Sequence, residues 1–358
     1  MNKELLINLY SIHSPSGGER KIKRFIKKYI ADNIPGCNVY SKEKQLYVIK
    51  GESETYPCVV AHLDQVQKNH SSDFDVIEYN DAMIGFSLSS KNQQGLGADD
   101  KNGIWVALEC LKHFDNIKIA FFTEEEIGCI GSDKADISFF DDCRFILQAD
   151  RKGSSDFITT ASCTDLCSDE FRDAVLALGH GYKENHGMMT DVLTLKEKGI
   201  NVSCANFSCG YYNAHTDSEI TILSELDNCR QLFFDIIENL TDVYPHKYID
   251  IFSGKNYKYD YHDWYDYDWR NYQAPKSTKA KATKVSIQAY NDTYDDAFSF
   301  LCDVQDLGIT PDWHSKDVLK NEFTQNYAYD FDDRAFDDAY NDFMHYLYND
   351  EEKDMQVI

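Results

Sequence analysis

The sequence has little positive charge, no long apolar run and no paired cysteine framework, and each shortage removes a class of function. Lys and Arg number 36 against 61 Asp and Glu, a formal net charge of −25. A phosphate backbone needs a basic face, so nucleic acid is not an expected partner. No stretch approaches the roughly 18 consecutive apolar residues of a membrane span, and a membrane is not expected either. The start, MNKELLINLY, runs straight into helical periodicity without a basic region, an apolar core and a small-residue cleavage site, which argues against export. Eleven cysteines, an odd number, are scattered from Cys37 to Cys302. That usage predicts free thiols in the reducing cytoplasm. No internal repeat is present, and the acidic run DYHDWYDYD lacks the Gly and terminal Glu of a calcium loop.

What is present is a 358-residue chain, 42% hydrophobic, long enough for one large core and an accessory module. Up to residue 244 helical and strand patterns alternate. Leu5, Leu6, Leu9 and Tyr10, then Ile22, Phe25, Ile26 and Ile30, recur at helical spacing on either side of the turn SPSGGE. Short apolar runs predict strands at 46–50, 58–62, 117–122, 144–149 and 200–207, with helices at 100–114, 190–198 and 223–240. The alternation predicts a three-layer αβα sandwich around a mixed, largely parallel sheet. Residues 245–284 read as a linker or irregular arm. Residues 285–358 read as an acidic, aromatic, mainly helical module, with an amphipathic helix from Phe331 to Leu347. Fourteen of the 24 tyrosines lie beyond residue 244, too aromatic a content for a disordered acidic tail.

The chemistry is concentrated at predicted strand ends: His62 and Asp64 in AHLDQV, Asp99 and Asp100 in GADDK, Glu124, Glu125 and Glu126 in FFTEEEIG, Asp150 in LQADRKG, and His215 in NAHTDSE. Ligands of open α/β sheets collect outside the carboxyl ends of the strands, so these distant residues can converge. Singly, each has a plain reading as a local hydrogen bond, a helix cap or a solvated face. Together they form a carboxylate cluster that would repel itself at the edge of a core, and dications offset such repulsion. Imidazole mixed with carboxylate suits zinc or a similar ion. Cys163 with Cys167 and Cys204 with Cys209 could in principle hold a structural zinc, but buried thiols are the commoner outcome. These pairs are left out of the site.

The order H-x-D, GADDK, EEIG, a strand-terminal Asp and AHTDSE resembles the co-catalytic di-zinc exopeptidases, the clan of peptidase T, the carboxypeptidase G type enzymes and the zinc aminopeptidases. The resemblance spans residues 3 to about 240. It implies that His62 and Asp150 hold one metal, that Glu126 and His215 hold the other, and that Asp99 bridges them. Choosing Asp99 over Asp100 follows the family pattern, as does the frame in which Glu125 is the general base and Glu124 is not. Asp64 would be the carboxylate that orients His62. The implied activity is hydrolysis of a peptide (amide) bond by a metal-activated water, with two divalent ions, zinc foremost, acting on short peptides or N-acyl amino acids. Tyr211, Tyr212 or His186 would donate to the oxyanion, and Asp191 would either face the site or cap a helix.

Segment lengths depart from the lidded members of the clan. Only 64 residues separate Asp150 from His215, and 36 separate His62 from Asp99. Neither gap accommodates an inserted lid, so residues 254–358 are expected to pack near the metal site or to mediate oligomerisation. The rival readings are a deacylase of N-acyl amino acid derivatives, a glutaminyl cyclase-like enzyme, and a non-catalytic binding protein on the same fold. Arg151 and Lys152 could form a local basic patch for acidic substrates, or simply a solvated turn.

Overall fold

A computed structural model describes residues 1–248, apart from 69 and 163, and a few helical positions beyond 290. The chain divides into two compact units, Met1–Asn256 and Tyr257–Ile358. In chain order the first unit contains α1 (Lys3–Tyr10), α2 (Arg20–Asn33), β1 (Cys37–Lys42), β2 (Gln45–Lys50), β3 (Tyr56–His62), β4 (Phe74–Tyr79), β5 (Ala82–Ser87), β6 (Asn92–Gln94), α3 (Ala98–His113) and β7 (Ile117–Phe122). Next come α4 (Ile130–Asp133), β8 (Cys143–Arg151), β9 (Asp156–Ala161), β10 (Thr164–Asp165), α5 (Asp169–Ala177), β11 (Lys183–Gly187), α6 (Asp191–Glu197), β12 (Cys204–Ser208), β13 (Tyr211–Tyr212), β14 (Ile220–Ile222) and α7 (Leu223–Asn239).

The main sheet runs β1-β2-β7-β3-β8-β12-β9-β10, with β11 beside β9. Its centre, β7-β3-β8-β12, is parallel, and antiparallel pairs lie towards both ends. Every residue of β3 and β7 is buried, as expected of central strands covered on both faces. Along β3, Val59 and Ala61 join the core cluster that includes residues of α1, α2, α3 and α7. Cys58 and Val60 join the opposite cluster, with residues of α6 and Phe139 and Phe140. The alternation confirms the expected three layers. In α2, Ile22, Ile26 and Ile30 are buried at intervals of four, while the basic residues between them are half-buried or exposed.

Two features depart from the expected elements. A second, antiparallel sheet, β13-β14-β5-β4 with β6 on β5, was not among the expected elements; its apolar β5, AMIGFS, is flanked by a mostly exposed β4. The strand expected at 200–207 shortens to Cys204–Ser208. Upstream of it Val202 bridges to Pro245, and the buried Lys196 Nζ donates to the carbonyls of Ile200 and Val202 at 2.9 and 3.0 Å. Among the described residues no helix is long and apolar enough to cross a membrane.

In the second unit, positions 336, 337 and 339–341 are helical. Phe336, Ala339 and Tyr340 are buried and Asn341 is exposed, in keeping with an apolar stripe. Asp337 pairs with Lys316 and Lys320. The arm expected at 254–284, the rest of the helix expected at 331–347 and Cys163 lie outside the described residues.

Candidate metal centre

Three parallel strands end side by side, and the site is built from residues at or just past their ends. His62 closes β3, and Leu63 and Asp64 continue from it. Glu124, Glu125 and Glu126 come shortly after β7. Asp150 stands near the end of β8. Asp99 enters at the first turn of α3, after Gly97 in the left-handed region at φ 63°, and its peptide bond to Asp100 is cis. His215 comes from the loop between β13 and β14.

His62 Nε2 lies 3.1 Å from Asp99 Oδ1, 3.5 Å from Asp150 Oδ1 and 4.0 Å from Glu125 Oε2. His215 Nε2 lies 3.2 Å from Asp99 Oδ2 and 3.1 Å from Glu126 Oε2. Two donor triads result, His62–Asp99–Asp150 and Asp99–Glu126–His215, each with its ligand atoms within 4.8 Å of one another, and Asp99 belongs to both. Glu126 Oε1 is buried without a hydrogen-bond partner, a defect that a cation would relieve. Carboxylates crowded around two imidazoles have the chemistry of a divalent-ion site, and the residues present fit the two ions expected of them.

Hydrogen bonds separate the candidates that the sequence left adjacent. Asp100 turns away from the triads: its Oδ2 accepts from the His62 N–H at 3.0 Å and its Oδ1 from the Gly103 N–H at 3.1 Å. A Cβ at Gly103 would stand 2.2 Å from Asp100 Oδ1, so that contact needs glycine. Glu124 has a left-handed backbone and belongs to neither triad. The three successive N–H groups of the loop all end on carboxylates. Glu124 N donates to Glu19 Oε1 at 3.2 Å, Glu125 N to Asp64 Oδ1 at 2.9 Å and Glu126 N to Asp64 Oδ2 at 3.2 Å.

Asp64 stands against His62, as expected, and has a second task besides. The His62 ring is held through Nδ1 by the Asp64 main-chain carbonyl at 3.1 Å, while the carboxylate stands at 3.5 Å. A carbonyl only accepts, so Nδ1 carries the proton of the neutral ring and Nε2 presents its lone pair to the triad. The carboxylate itself anchors the Glu125–Glu126 loop and accepts from Ser16 Oγ at 2.7 Å. Sequence reasoning also missed Glu219, the last acid of AHTDSE, whose oxygens accept from the N–H groups of Ala98 and Asp99 at 3.0 and 3.4 Å. Its position in that motif was the available signal.

The electrostatics reflect burial and crowding. Burial raises the Glu125 carboxyl well above the ordinary range; the charge of His62 opposes the rise, and those of Asp150, Asp191 and Glu126 add to it. Burial works against protonating His62, but Asp150, Asp64 and Asp99 overcome it and hold its pKa well above the usual value. Hydrogen bonds to Asp99 and Glu126 raise His215 to about 11. A pocket that binds protons this firmly has the negative potential that also binds cations.

Of the expected oxyanion donors, the two tyrosines already donate elsewhere. Tyr211, buried, donates its one proton to Asp99 Oδ2 at 3.0 Å, and Tyr212 donates to Glu225 Oε2 at 2.7 Å. His186 stands exposed on β11. Asp191 begins α6 but makes no cap: it is fully buried, Oδ1 has no partner, and burial raises its pKa to about 6. Arg151 pairs with Asp156 at 3.2 Å and Lys152 is exposed. Every described cysteine is a free thiol, and none joins a metal-ligand cluster among the described residues.

No known protein family matches the chain by sequence, and no curated protein does. Solved structures do resemble it. Aminopeptidase PepT from Bacillus cereus matches at 14% identity over 66% of this chain and 98% of that one, with a TM-score of 0.54. Aminopeptidase APDkam598 from the archaeon Desulfurococcus kamchatkensis matches at 13% identity over 66% and 94%, with a TM-score of 0.53. A tripeptidase from Staphylococcus aureus matches at 14% over 66% and 96%, with a TM-score of 0.50. The chain thus shares the mixed α/β fold of these peptidases, and at such identities the likeness extends to the fold alone.

Proposed function

We propose that this chain is a metal-dependent peptide hydrolase, an aminopeptidase or other small-peptide exopeptidase working in the cytoplasm with two divalent ions, zinc foremost. The observation that carries the reading is Asp99, whose two oxygens face two separate histidines while a buried, high-pKa Glu125 stands 4.0 Å from one of them. The fold shared with aminopeptidases supports it. His62 and Asp150 would hold one ion, Glu126 and His215 the other, with Asp99 common to both. Ions held there would polarise a substrate carbonyl and acidify a water.

The remaining work belongs to the protein's own side chains. Glu125 Oε2 takes the proton from the attacking water and returns it to the departing amine nitrogen, and its raised pKa suits both halves of that transfer. The Asp64 main chain keeps the His62 proton on Nδ1. Tyr211 fixes the rotation of the Asp99 carboxylate. Residues 1–244 would form the catalytic domain, and residues 245–358 an arm and an accessory module.

Mass spectrometry of a peptide panel, each peptide supplied free, N-blocked or C-blocked to zinc-loaded protein, tests the reading. Loss of residues only from free N-termini is expected. No cleavage of any peptide with two ions bound would refute peptide hydrolysis, and release of acyl groups from N-acyl amino acids would replace it with the deacylase.

A further inference from the structure

We infer that Gln148 is a positioning residue that fixes which oxygen of Asp150 is free to ligate, an inference that rests on the two-ion reading above. Gln148 precedes Asp150 by two residues on β8, so both side chains leave the same face of the sheet. Its Oε1 accepts from Thr190 Oγ1 at 2.7 Å and from the Val192 N–H at 3.2 Å. A backbone nitrogen can only donate, which settles the orientation of the amide. Nε2 must then face the carboxylates, and it donates to Asp150 Oδ2 and to Asp191 Oδ2, each at 3.2 Å. All four hydrogen-bonding positions of this buried amide are in use.

Asp150 Oδ2 is thereby occupied, and Oδ1 is the oxygen left facing His62 Nε2. Thr190 supports the arrangement a second time, because it accepts from Asn206 Nδ2 at 3.1 Å while Asn206 Oδ1 accepts the Asp150 N–H at 2.9 Å. The start of α6 thus holds the His62–Asp150 half of the centre. The other half is tied elsewhere: the Glu126 N–H goes to Asp64, and the Glu126 and His215 side chains pair with each other. Loss of the Gln148 amide should therefore weaken one ion and spare the other.

The test is calorimetric titration of Zn²⁺ into the ion-free full-length protein and its variants. Gln148→Met keeps the length of the side chain and removes its N–H groups. The wild type is expected to bind two ions, and Gln148→Met to bind one of them about 10- to 100-fold more weakly with the other unchanged. In a His62→Ala background the substitution should leave the remaining ion unaffected, whereas in a His215→Ala background it should weaken it by the full factor. Thr190→Val, which frees Gln148 without removing it, should weaken the same ion by a smaller factor and decides the matter if Gln148→Met does not fold by circular dichroism. Equal weakening of both ions, or of neither, overturns the role of Gln148. Fewer than two ions in the wild type overturns the two-ion reading and this inference with it.

Discussion

Asp64→Asn separates the role of the carboxylate from that of the main chain at the same residue. In the wild type two carboxylate oxygens receive the N–H groups of Glu125 and Glu126 and the Ser16 hydroxyl, inside a side chain that is wholly buried. Asparagine has the same shape but only one oxygen. Whichever way its amide turns, an amino group then meets a backbone N–H of the loop. Losing a hydrogen bond to a charged group costs about 1.5–3 kcal/mol, and a stranded buried N–H adds about 1–3 kcal/mol, so a loss of roughly 2.5–6 kcal/mol is expected. For a unit of this size each kcal/mol lowers Tm by about 2–4 °C, which gives a fall of roughly 5–24 °C. Moving the loop also moves Glu125, and a displacement on the order of 1 Å can lower kcat/KM about 100-fold. The assay is thermal unfolding monitored by circular dichroism, paired with turnover of a short peptide. The His62 proton is held by the Asp64 carbonyl, which survives the substitution, so zinc affinity at His62 should change far less than turnover. Wild-type Tm and turnover, or a loss confined to that zinc affinity, would show the reasoning to be wrong.

Glu125→Gln should lower kcat/KM about 10²- to 10⁴-fold while bound zinc measured by emission spectrometry stays the same; unchanged turnover would remove Glu125 as the base. Zinc affinity should rise with pH, because His215, raised to about 11, and His62, also raised, hold protons at neutral pH that an ion must expel. Calorimetry in buffers of different ionisation enthalpy should detect that release, and its absence would contradict the assigned ligands. The same two histidines set the sign for the ion-free protein. Groups whose pKa is raised on folding contribute stability that is complete below about pH 6.5 and is lost as pH climbs towards the folded values. Tm of the ion-free protein should therefore fall above neutrality, and the gain on adding zinc should grow.

The parts of this fold legible in the sequence are those where a single chemical property settles the matter. CVVAH and IKIAFF could be read as central strands because both faces of each are buried and each carries only one polar side chain, His62 or Lys118, in an otherwise apolar run. β4 and β6 could not, because FDVIEY is mostly exposed and NQQ carries no apolar residue. In the site, His62, Asp99, Glu126, Asp150 and His215 stood out as acids and imidazoles at strand ends and in recognisable motif order. Glu19, Gln148 and Glu219 did not, because each has partners on distant segments: Glu124 for Glu19, Thr190 and Asp191 for Gln148, and Ala98 and Asp99 for Glu219. No local pattern encodes the meeting of Glu19 with Glu124, 105 positions away. Asp64 was recognised as part of the site, yet its anchoring of the Glu125–Glu126 loop depends on how two strand ends lie side by side.

The same long reach governs the order in which the molecule can be assembled. Tyr10 in α1 hydrogen-bonds Asn102 and Thr221, the latter 211 positions away, while Ser16 and Glu19 wait for Asp64 and Glu124. During synthesis α1 and α2 leave the ribosome before the strands and helices they pack against, but they acquire their complete set of partners only once residue 221 has emerged. Such non-local closure is slow compared with local helix formation. Helix α1 is consequently made before its partners yet is among the last elements to be locked in place, and a nascent chain that has not reached Thr221 carries the acidic loop without the full frame that will hold it.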